Sequence, residues 1–491
     1  MKNIVILGAG FGGIRAALDL DRALSRDSSL RSGSAQNDSG GWRVVLVDRN
    51  AYHVYYPKLY DTAIPDSARH TDEVKKSSIP ISEILQGTVV EFLQGDVKGI
   101  DCKKQQIVIS TKRPDGAQCL PAGRQGEISF ASSKEGVRSF AAAQDDETLL
   151  VNYEYLVFAL GAGTDYFGIP GLQEYACTLK SLKDAEVIRD IVGEFLEKKR
   201  SRLDVVIGGA GATGVEVASE LAYLLRTIPR DRWSITIVEA LPRVLSMFPN
   251  GMSQYAHTRL EKLGVKLMLD TCIKSVEKIS SSRPKRSEVE RSHTVQDVRS
   301  LDSARDDELC GVEVVLAPRP LKPNEKESEL VCDFLPEREK RITVDFLLWA
   351  GGVRANPLLA SCGMAVDRKG RLEVDTYFQV KGIERVFAIG DNAVLVDPQT
   401  KQPVPATAQA AVLEGKIVAN NIARAVYGTA LIPYYFPKYH AVIPLADHDA
   451  VALMGDRVIR GFPAWALRKA ADCRYYGTVV GWWKAVKRCI L

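Results

Sequence analysis

The chain carries one glycine spacing twice, and that spacing suits binding of a phosphate group. The pattern GxGxxG is formed by Gly8, Gly10 and Gly13 in the first copy, and by Gly209, Gly211 and Gly214 in the second. The first glycine allows a tight turn, the second lets the backbone approach a pyrophosphate, and the third lets a helix pack closely on a strand. The pyrophosphate then lies at a helix N-terminus. Each copy therefore predicts a dinucleotide site.

An acidic residue follows each copy at the end of the next strand-like run. Asp48 comes 35 residues after Gly13 and Glu239 comes 25 residues after Gly214, against roughly 20 in the usual unit. A carboxylate here binds ribose hydroxyls and repels a 2′-phosphate, so Glu239 favours NADH over NADPH. Arg243 weakens that preference, because a basic neighbour can accommodate phosphate.

The elements around both copies follow one order: a strand, the glycine turn, a helix and a second strand. The first set is "NIVILGAG", "GIRAALDLDRAL" and "WRVVLVDR", and the second is "LDVVIGGAG", "ATGVEVASELAYLL" and "WSITIVEA". This alternation is typical of a parallel sheet with crossover helices. We therefore predict an α/β fold with two Rossmann-like dinucleotide-binding domains. Segments 25–41, 112–147 and 280–340 are rich in Ser, Gly, Pro and charge, which predicts surface insertions.

Length and composition restrict the class of protein. At 491 residues the chain predicts two or three domains, and a formal net charge of +4 does not indicate a nucleic-acid partner. Nine cysteines occur without a CxxC pair, so we expect neither a disulfide scaffold nor a metal site. The chain has no apolar run of about 20 residues. The strand-like run starts at Asn3 without a basic and apolar leader before it, which argues against an export signal. We expect a cytoplasmic protein whose membrane contact, if any, is peripheral.

Three further motifs give the chain a resemblance to a known superfamily. They are "YLVFALGAGT" at 155–164, "LLWAGGVRANP" at 347–357 and "TYFQVKGIERVFAIGD" at 376–391. Together with the two glycine patterns, they resemble the two-dinucleotide-binding flavoproteins. The resemblance implies that the first fold binds FAD, that a second fold inserted into it binds NADH or NADPH, and that Asp391 binds the ribityl or pyrophosphate part of FAD. Taken alone, Asp391 is also compatible with a helix cap.

Two segments narrow the resemblance to one family, and they are "NAYHVYYPKLYDTA" at 50–63 and "ATAQAAVLEGKIVANNI" at 406–422. Both are similar to type II NADH:quinone oxidoreductases, the single-subunit respiratory NADH dehydrogenases. In that family the first Gln of an AQxxxQ motif lies between flavin and quinone. Gln409 matches it, whereas Leu413 replaces the second Gln and leaves the acceptor open. Glu216 matches a glutamate near the nicotinamide and flavin, although it could merely complement the helix dipole. His53 could equally be a packing residue.

The resemblance implies the reaction, the site residues and the domain limits. Hydride passes from NADH to FAD, and two electrons then pass to a membrane quinone without proton pumping. The implied catalytic residues are Glu216 and Gln409. The implied cofactor-binding residues are Gly8, Gly10, Gly12, Gly13, Asp48, Val97, Gly161, Asp391, Gln409, Gly209, Gly211, Gly214, Glu216, Glu239 and Gly352. The expected domains are an FAD-binding domain at 1–175 and 345–435, an NAD(H)-binding domain at 176–344 and a membrane-association region at 436–491.

The C-terminal segment is basic and partly amphipathic. Residues 457–491 carry eight basic side chains and one acid, Asp472. The spacing i, i+3, i+4 and i+7 predicts an apolar helical face made of Val479, Trp482, Trp483 and Val486. The opposite, basic face is made of Lys484, Lys487 and Arg488. Such a helix would bind an anionic membrane surface, here on the cytoplasmic side. The tryptophans could instead pack on the core or on a dimer partner, and the resemblance implies a homodimer.

Two other functions remain open. A sulfide:quinone oxidoreductase shares this layout and would use cysteines beside the flavin, for which Cys177 and Cys362 are the candidates. The intact second glycine pattern and Glu239 argue against it, because that enzyme needs no NADH. The other alternative is a flavin-containing redox sensor that binds NAD and docks on a membrane or a partner, and negligible quinone turnover would favour it.

Overall fold

The computed structural model describes residues 1–25, 41–64, 77–111, 148–279, 311–318, 339–398, 400–435, 438 and 440–490. The predicted insertion at 112–147 lies outside the described residues, as do most of those at 25–41 and 280–340. Part of the third insertion is described, and there the prediction is wrong, because Val312–Pro318 is a largely buried strand. Its apolar run is short and is flanked by Ser-, Glu- and Lys-rich sequence, so the composition of the whole segment concealed it.

Five parallel strands form the sheet of the first domain. Numbered along the chain and given in sheet order, they are β20 (Val386–Ala388), β9 (Tyr155–Phe158), β1 (Lys2–Leu7), β2 (Trp42–Asp48) and β5 (Glu91–Gln94). The four residues at the end of β1 are fully buried, because helices cover both faces of such a sheet. Strand β20 comes from far along the chain, so the first domain is built from two parts with the second domain between them.

A second parallel sheet repeats this arrangement. Its order is β13 (Lys266–Met268), β12 (Trp233–Val238), β11 (Leu203–Gly208) and β17 (Phe346–Trp349). Strand β11 leads into the second glycine turn and pairs with β12 on one side and β17 on the other. Strand β1 likewise pairs with β2 and β9. The prediction of two Rossmann-like domains is confirmed.

Smaller sheets, antiparallel in all cases but one, complete both domains and the C-terminal region. Three-stranded sheets are formed by β6 (Asp96–Asp101), β7 (Gln106–Ser110) and β8 (Thr148–Asn152), by β14 (Thr271–Lys278), β15 (Val312–Pro318) and β16 (Lys340–Val344), and by β22 (Ala441–Pro444), β23 (Ala450–Met454) and β24 (Arg457–Arg460). Two-stranded sheets are formed by β3 (Tyr52–Val54) with β4 (Ser78–Pro80), β10 (Ala162–Thr164) with β18 (Val353–Ala355), and β19 (Leu372–Glu373) with β21 (Ala393–Val394). Strands β10 and β18 join the two segments that cross between the domains.

The helices cover the sheets and form the junctions between them. They are α1 (Phe11–Leu24), α2 (Leu59–Ala63), α3 (Ile81–Ile84), α4 (Leu172–Tyr175), α5 (Leu182–Leu196), α6 (Ala212–Leu224), α7 (Asn250–Leu263), α8 (Leu358–Ser361), α9 (Ala408–Val426), α10 (Phe462–Val480) and α11 (Trp482–Ile490). Side-chain caps start two of them, since Ser181 accepts the N–H of Asp184 before α5 and Thr407 accepts that of Ala410 before α9. Within the described ranges, no helix is long and apolar enough to cross a membrane.

The C-terminal helix pair differs from the sequence prediction. The predicted apolar face runs through a break, because Gly481 has a positive φ of 86° and separates α10 from α11. Val479 belongs to α10 and is buried in the core, whereas Trp482, Trp483 and Val486 of α11 are exposed. Glycine inside a helical pattern commonly ends a helix. The break leaves three of the four predicted apolar residues on α11 and the fourth, Val479, on α10.

The basic side of α11 also differs from the prediction. Lys484 Nζ lies 3.7 Å from Glu83 Oε1 and donates to Gln86 Oε1 at 3.0 Å. Arg488 donates to Glu83 Oε2 at 3.0 Å and to the carbonyl of Ser78 at 3.2 Å. These two cations therefore fasten α11 to the segment around α3 and are not directed only to solvent. The side chain of Lys487 lies outside the described part.

Candidate dinucleotide and redox site

The two glycine turns are built from the same backbone geometry. Gly8 and Gly209 begin them with φ of 104° and 103°, a region that side chains other than hydrogen rarely adopt. A Cβ at Gly8 would overlap the carbonyl of Ala159, and one at Gly209 would lie 2.7 Å from Gly351 Cα. Each turn leads directly into a helix, α1 or α6, whose first N–H groups face the turn. Both are therefore cradles of the kind that fits a pyrophosphate.

The two predicted acids occupy equivalent positions beside these turns. Asp48 accepts the backbone N–H groups of Ala9 at 2.7 Å and Asn50 at 2.8 Å. Glu239 accepts those of Ala210 at 2.6 Å and Leu241 at 2.9 Å. In each case the donors are the second residue of the glycine turn and the residue two positions after the acid. The structure thus places both carboxylates against their glycine turns, and burial raises the pKa of Asp48.

Arg243, the basic residue near Glu239, is used within its own loop. Its guanidinium donates to the carbonyl of Phe248 at 2.8 Å and to the carbonyl of Ser246. These bonds hold the turn that follows β12. A guanidinium held by carbonyl oxygens is poorly placed to neutralise a 2′-phosphate, so the contacts of Arg243 support the preference for NADH.

Asp391 lies in a single 3-10 turn, Gly390–Asn392, at the end of β20. Ile389 precedes that turn as its N-cap residue, so Asp391 is not a helix cap. Its largely buried carboxyl has a raised pKa because of burial, which the charges of Lys180 and Arg371 partly offset. The pKa of Lys180 is in turn lowered by burial. Lys180 is thus a neighbouring cation of Asp391 that the sequence motifs did not reveal.

Two more buried polar residues hold loops of the first domain and were also missed. Asn392 accepts the N–H of Leu160 at 2.6 Å and donates to the carbonyl of Gly161 at 2.7 Å. Glu414 accepts the N–H of Gly390 at 2.5 Å, and burial raises its pKa to about 7. The only local signal was that both residues interrupt apolar runs. They join the segments of Gly161 and Asp391, which are far apart in the sequence.

Four further residues named from the sequence make other contacts. Gln409, in the first turn of α9, accepts the N–H of His440 at 3.2 Å and so contacts the C-terminal region. Leu413 packs against the core of the first domain. Val97 lies in β6 at an irregularity of its pairing with β7. Gly352 approaches Phe167, whose ring carbon would lie 2.6 Å from an added Cβ.

Glu216 lies in the second turn of α6, so it does not complement the helix dipole from the first turn. Its side chain is 14% exposed, and its Oε1 lies 4.0 Å from Arg468 Nη1 of α10. Burial raises the pKa of Glu216 to about 7, although Arg468 opposes the shift. The carboxyl is therefore poised to gain or lose a proton near neutral pH.

Arg468 joins three parts of the molecule at this point. Its Nε lies 3.1 Å from Asp472 Oδ1, and its Nη1 donates to the carbonyl of Val442 at 3.3 Å. Its Nη2 donates to the carbonyl of Pro57. Asp472 also accepts the hydroxyl of Tyr55 at 2.7 Å. Helix α10 is thus fixed to the first domain through Pro57 and Tyr55, and it contacts the second domain through Glu216.

His53 is part of the same junction and is a packing residue. It is 1% exposed, with Nδ1 2.9 Å from the carbonyl of Ala9 and Nε2 2.8 Å from the hydroxyl of Tyr475. A carbonyl can only accept, so Nδ1 carries the proton and Nε2 accepts from Tyr475. The rings of Tyr55 and Tyr475 stack at 4.9 Å. His53 therefore stabilises the first glycine turn through its hydrogen bond to the carbonyl of Ala9.

The buried imidazole predicts a pH dependence of stability. Burial lowers the pKa of His53 from 6.5 to about 4. Because the folded protein favours the neutral ring, this stabilisation is present above pH 6.5 and is lost as the pH falls towards 4. Between pH 6.5 and pH 5 the loss amounts to about 2 kcal/mol. Urea midpoints at both pH values should show this extra loss in the wild type, and His53→Gln should lack it.

The control for this experiment is His257→Gln on the surface of α7, which should keep the wild-type pH dependence. An identical pH dependence in the wild type and His53→Gln would contradict the structural role of His53.

The two candidate cysteines are not arranged as a sulfide-attacking pair. Cys177 packs against the core of the second domain, and burial raises the pKa of its thiol to about 11. Cys362 packs against the core of the first domain and donates to the carbonyl of Leu358 at 3.1 Å. Burial raises the pKa of Cys362 as well. Both thiols therefore stay protonated near neutral pH, and neither is activated as a nucleophile.

Known proteins resemble this chain over nearly its whole length. A family model described as pyridine nucleotide-disulphide oxidoreductase matches residues 2–304 and 300–415. Type II NADH:quinone oxidoreductases from Staphylococcus aureus (strain MSSA476) and Staphylococcus haemolyticus are 24% and 23% identical to it over 96% of this chain and 94% of theirs.

Solved structures share the same fold. NDH2 from Plasmodium falciparum in complex with NADH superposes with a TM-score of 0.68 at 17% identity, over 100% of this chain and 97% of that one. The sulfide:quinone oxidoreductase from Aquifex aeolicus superposes with a TM-score of 0.64 at 15% identity, over 98% and 92%. At these identities the likeness concerns the fold alone.

Proposed function

Because the chain belongs to the pyridine nucleotide-disulphide oxidoreductase family, we propose that it is an FAD-dependent NADH:quinone oxidoreductase that does not pump protons. The observation that carries the proposal is the pair of matched cradles, each a glycine turn with an acid bound to its second residue. Two such sites in one chain suit a tightly bound flavin and a diffusible nicotinamide. The similar type II NADH:quinone oxidoreductases support the choice of NADH as the donor and a quinone as the acceptor.

The proposed roles follow the two domains. In the part formed by 1–175 and 345–435, the first glycine turn binds the FAD pyrophosphate and Asp48 accepts a ribose hydroxyl. Asp391, in the turn that Glu414 and Asn392 hold, would bind the ribityl or pyrophosphate part. In the part formed by 176–344, the second turn and Glu239 bind NADH. When bound, FAD supplies the chemistry that takes a hydride from NADH and delivers two electrons to quinone.

Residues at the junction would then serve the acceptor. The carboxyl of Glu216 can gain or lose a proton near neutral pH. The amide of Gln409 offers a hydrogen bond where the first turn of α9 meets the C-terminal region. Leu413 packs on the core and provides apolar surface, so the acceptor site has one polar side chain fewer than the family pattern.

The nicotinamide preference gives a testable prediction. We expect kcat/KM for NADH to exceed that for NADPH by about 100-fold, because a 2′-phosphate would approach the Glu239 carboxylate. Glu239→Gln should lower the discrimination to about tenfold or less. The measurement is steady-state oxidation of each nucleotide with a soluble quinone. Glu261→Gln, on the exposed side of α7, is the control, and equal use of both nucleotides by the wild type would contradict the assignment.

We also propose that the protein binds the cytoplasmic face of a membrane through α11, because a quinone is lipid-soluble. Trp483 is 93% exposed, and Trp482 and Val486 are exposed on the same short helix. Exposed cations elsewhere in the region are Arg457, Arg460, Lys469 and Arg474. An exposed tryptophan with nearby cations suits an anionic lipid surface. The homodimer implied by the family resemblance is part of the proposal, and light scattering of the purified protein tests it.

Trp483→Ser should weaken membrane binding strongly. Transfer of a large apolar side chain from water is worth about 1.5–3 kcal/mol, so the partition coefficient should fall by about 10- to 100-fold. Co-sedimentation with vesicles that contain phosphatidylglycerol measures it. Met247→Ser, which removes another exposed apolar side chain from the second domain, should bind like the wild type. An unchanged partition coefficient for Trp483→Ser would exclude α11 as the membrane contact.

A further inference from the structure

The C-terminal region contacts both dinucleotide domains. Helix α10 is fixed to the first domain, and it also packs against β22 and β23. These two strands in turn pack on the second domain, because Ile443 and Val451 belong to the same buried cluster as Met252 and Leu260 of α7. The hairpin that joins β22 to β23, residues 445–449, therefore lies where the C-terminal region meets the second domain.

The backbone of this hairpin is strained. Ala446, Asp447 and His448 are consecutive and have φ of 61°, 54° and 57°, in the left-handed region that residues other than glycine rarely adopt. The N–H of Leu445 donates to the carbonyl of Asp449 at 2.8 Å, and the N–H of Asp449 donates to the carbonyl of Ala446 at 3.0 Å. A run of such residues persists only where the surrounding structure holds it, so the contacts around the hairpin decide its conformation.

Arg259 of α7 contacts the hairpin through both its backbone and its carboxylates. Arg259 Nε donates to the carbonyl of Leu445 at 3.2 Å and lies 3.2 Å from Asp449 Oδ2. Its Nη2 donates to the carbonyl of Ala446 at 3.4 Å and lies 3.9 Å from Asp447 Oδ2. A guanidinium can serve several acceptors at once because its donors form a planar fork. Arg259 thus holds the strained residues from both ends of the hairpin.

Two tyrosines of the second domain bind the same carboxylates. The hydroxyl of Tyr255, in α7, donates to Asp449 Oδ1 at 2.9 Å. The hydroxyl of Tyr223, near the end of α6, donates to Asp447 Oδ1 at 2.6 Å. The guanidinium of Arg460, in β24, lies 5.7 Å from the centre of the Tyr255 ring. The C-terminal region is therefore bonded to both α6 and α7.

Helix α6 connects these contacts to the second glycine turn. It begins directly after Gly211, its N-cap residue, and it ends at Leu224, next to Tyr223. Its 13 residues span about 20 Å, and a helix of this length moves as one rigid element. Helix α2 of the first domain packs on α5, so the hairpin adds a second attachment at α6 and α7. A displacement at Tyr223 is therefore carried to the glycine turn.

We infer that Arg259 is a positioning residue for hydride transfer. It holds the 445–449 hairpin against α6 and α7, and it thereby fixes the second glycine turn relative to the first domain. The inference rests on the proposed function, because it concerns the step in which bound NADH meets the flavin. Arg259 acts through α6, and no contact with either cofactor is assigned to it.

The test is Arg259→Met in the FAD-loaded enzyme, followed by stopped-flow flavin absorbance. The rate constant of flavin reduction at saturating NADH should fall by about 10- to 100-fold, because a misplacement of about 1 Å costs a rate factor of this size. The NADH concentration for the half-maximal rate should change by no more than about twofold. A variant that merely folds less well would lose amplitude and keep its rate constant. Lys262→Met, exposed on the same helix, is the control and should keep the wild-type rate.

Two more variants test whether the strained backbone is the element that Arg259 holds. Arg259→Lys should lie between the wild type and Arg259→Met, because an ammonium keeps the charge but lacks the planar fork. Adding Ala446→Gly to Arg259→Met should recover much of the rate, because glycine adopts the left-handed conformation without steric cost. A wild-type rate constant in Arg259→Met, or a loss confined to the amplitude, would overturn the inference.

Hydrogen exchange gives a readout that needs no NADH. In the FAD-loaded protein, the N–H groups of Leu445 and Asp449 should exchange faster in Arg259→Met than in the wild type or Lys262→Met. Unchanged protection of these two groups would also overturn the inference. Failure of NADH to reduce the flavin of the wild type would instead contradict the proposed function, whereas the exchange result would still test the attachment of the hairpin.

Discussion

Arg468→Ala should lower the free energy of unfolding by about 3–5 kcal/mol, which is the usual loss when one partner of a buried ion pair is removed. Asp472 is 3% exposed and would lose the cation beside it. The carbonyls of Pro57 and Val442 would lose their donor as well. Urea-induced unfolding of the FAD-loaded protein measures the change, and α10 should separate from the first domain early in the transition.

A control variant and a double variant show whether that loss comes from the buried ion pair. Arg457→Ala removes an exposed arginine from β24 and should change stability by no more than about 0.5 kcal/mol. Adding Asp472→Asn to Arg468→Ala should recover part of the loss, because the uncompensated carboxylate is then absent. A stability of Arg468→Ala equal to that of Arg457→Ala would show that the junction does not depend on this arginine.

Replacing the first glycine of each turn by alanine should impair the two cofactor sites independently of each other. Backbone strain at φ near 104° costs about 1–3 kcal/mol, and overlap with Ala159 adds to it at Gly8. Gly8→Ala should therefore bind FAD at least about 10- to 100-fold more weakly and purify with little flavin. Gly209→Ala should purify yellow but require much more NADH for reduction. The measurements are the flavin-to-protein absorbance ratio and a titration with NADH.

Gly193→Ala is the matched control, because it lies in α5 with open space around its Cβ position, and it should keep both properties. Loss of flavin from Gly209→Ala with retention in Gly8→Ala would reverse the assignment of the two domains.

The local features of the site could be predicted from the sequence. Glycine turns and the acids after them follow chain-local rules, because the strand, turn and helix are consecutive. Asp48 and Glu239 were found in this way, and their contacts with Ala9 and Ala210 match each other closely. The two sheets followed from the same local alternation of strands and helices.

The long-range contacts could not be predicted. Arg468 reaches Pro57 over 411 residues and Tyr55 reaches Asp472 over 417, and no periodic pattern encodes such pairs. Lys484 and Arg488 looked like a basic helix face, because their partner, Glu83, lies far away in the sequence. The break at Gly481 had a visible signal, since a glycine interrupted the helical pattern, but the apolar spacing across it outweighed that signal.

The most direct test of the central claim is double-mixing stopped-flow absorbance of the FAD-loaded protein. The first push adds NADH, and the second adds a soluble quinone. The account predicts rapid loss of the flavin absorbance after the first push and rapid recovery after the second. Bleaching without recovery would contradict the quinone as acceptor and direct attention to Leu413, and no bleaching at all would contradict NADH as the donor.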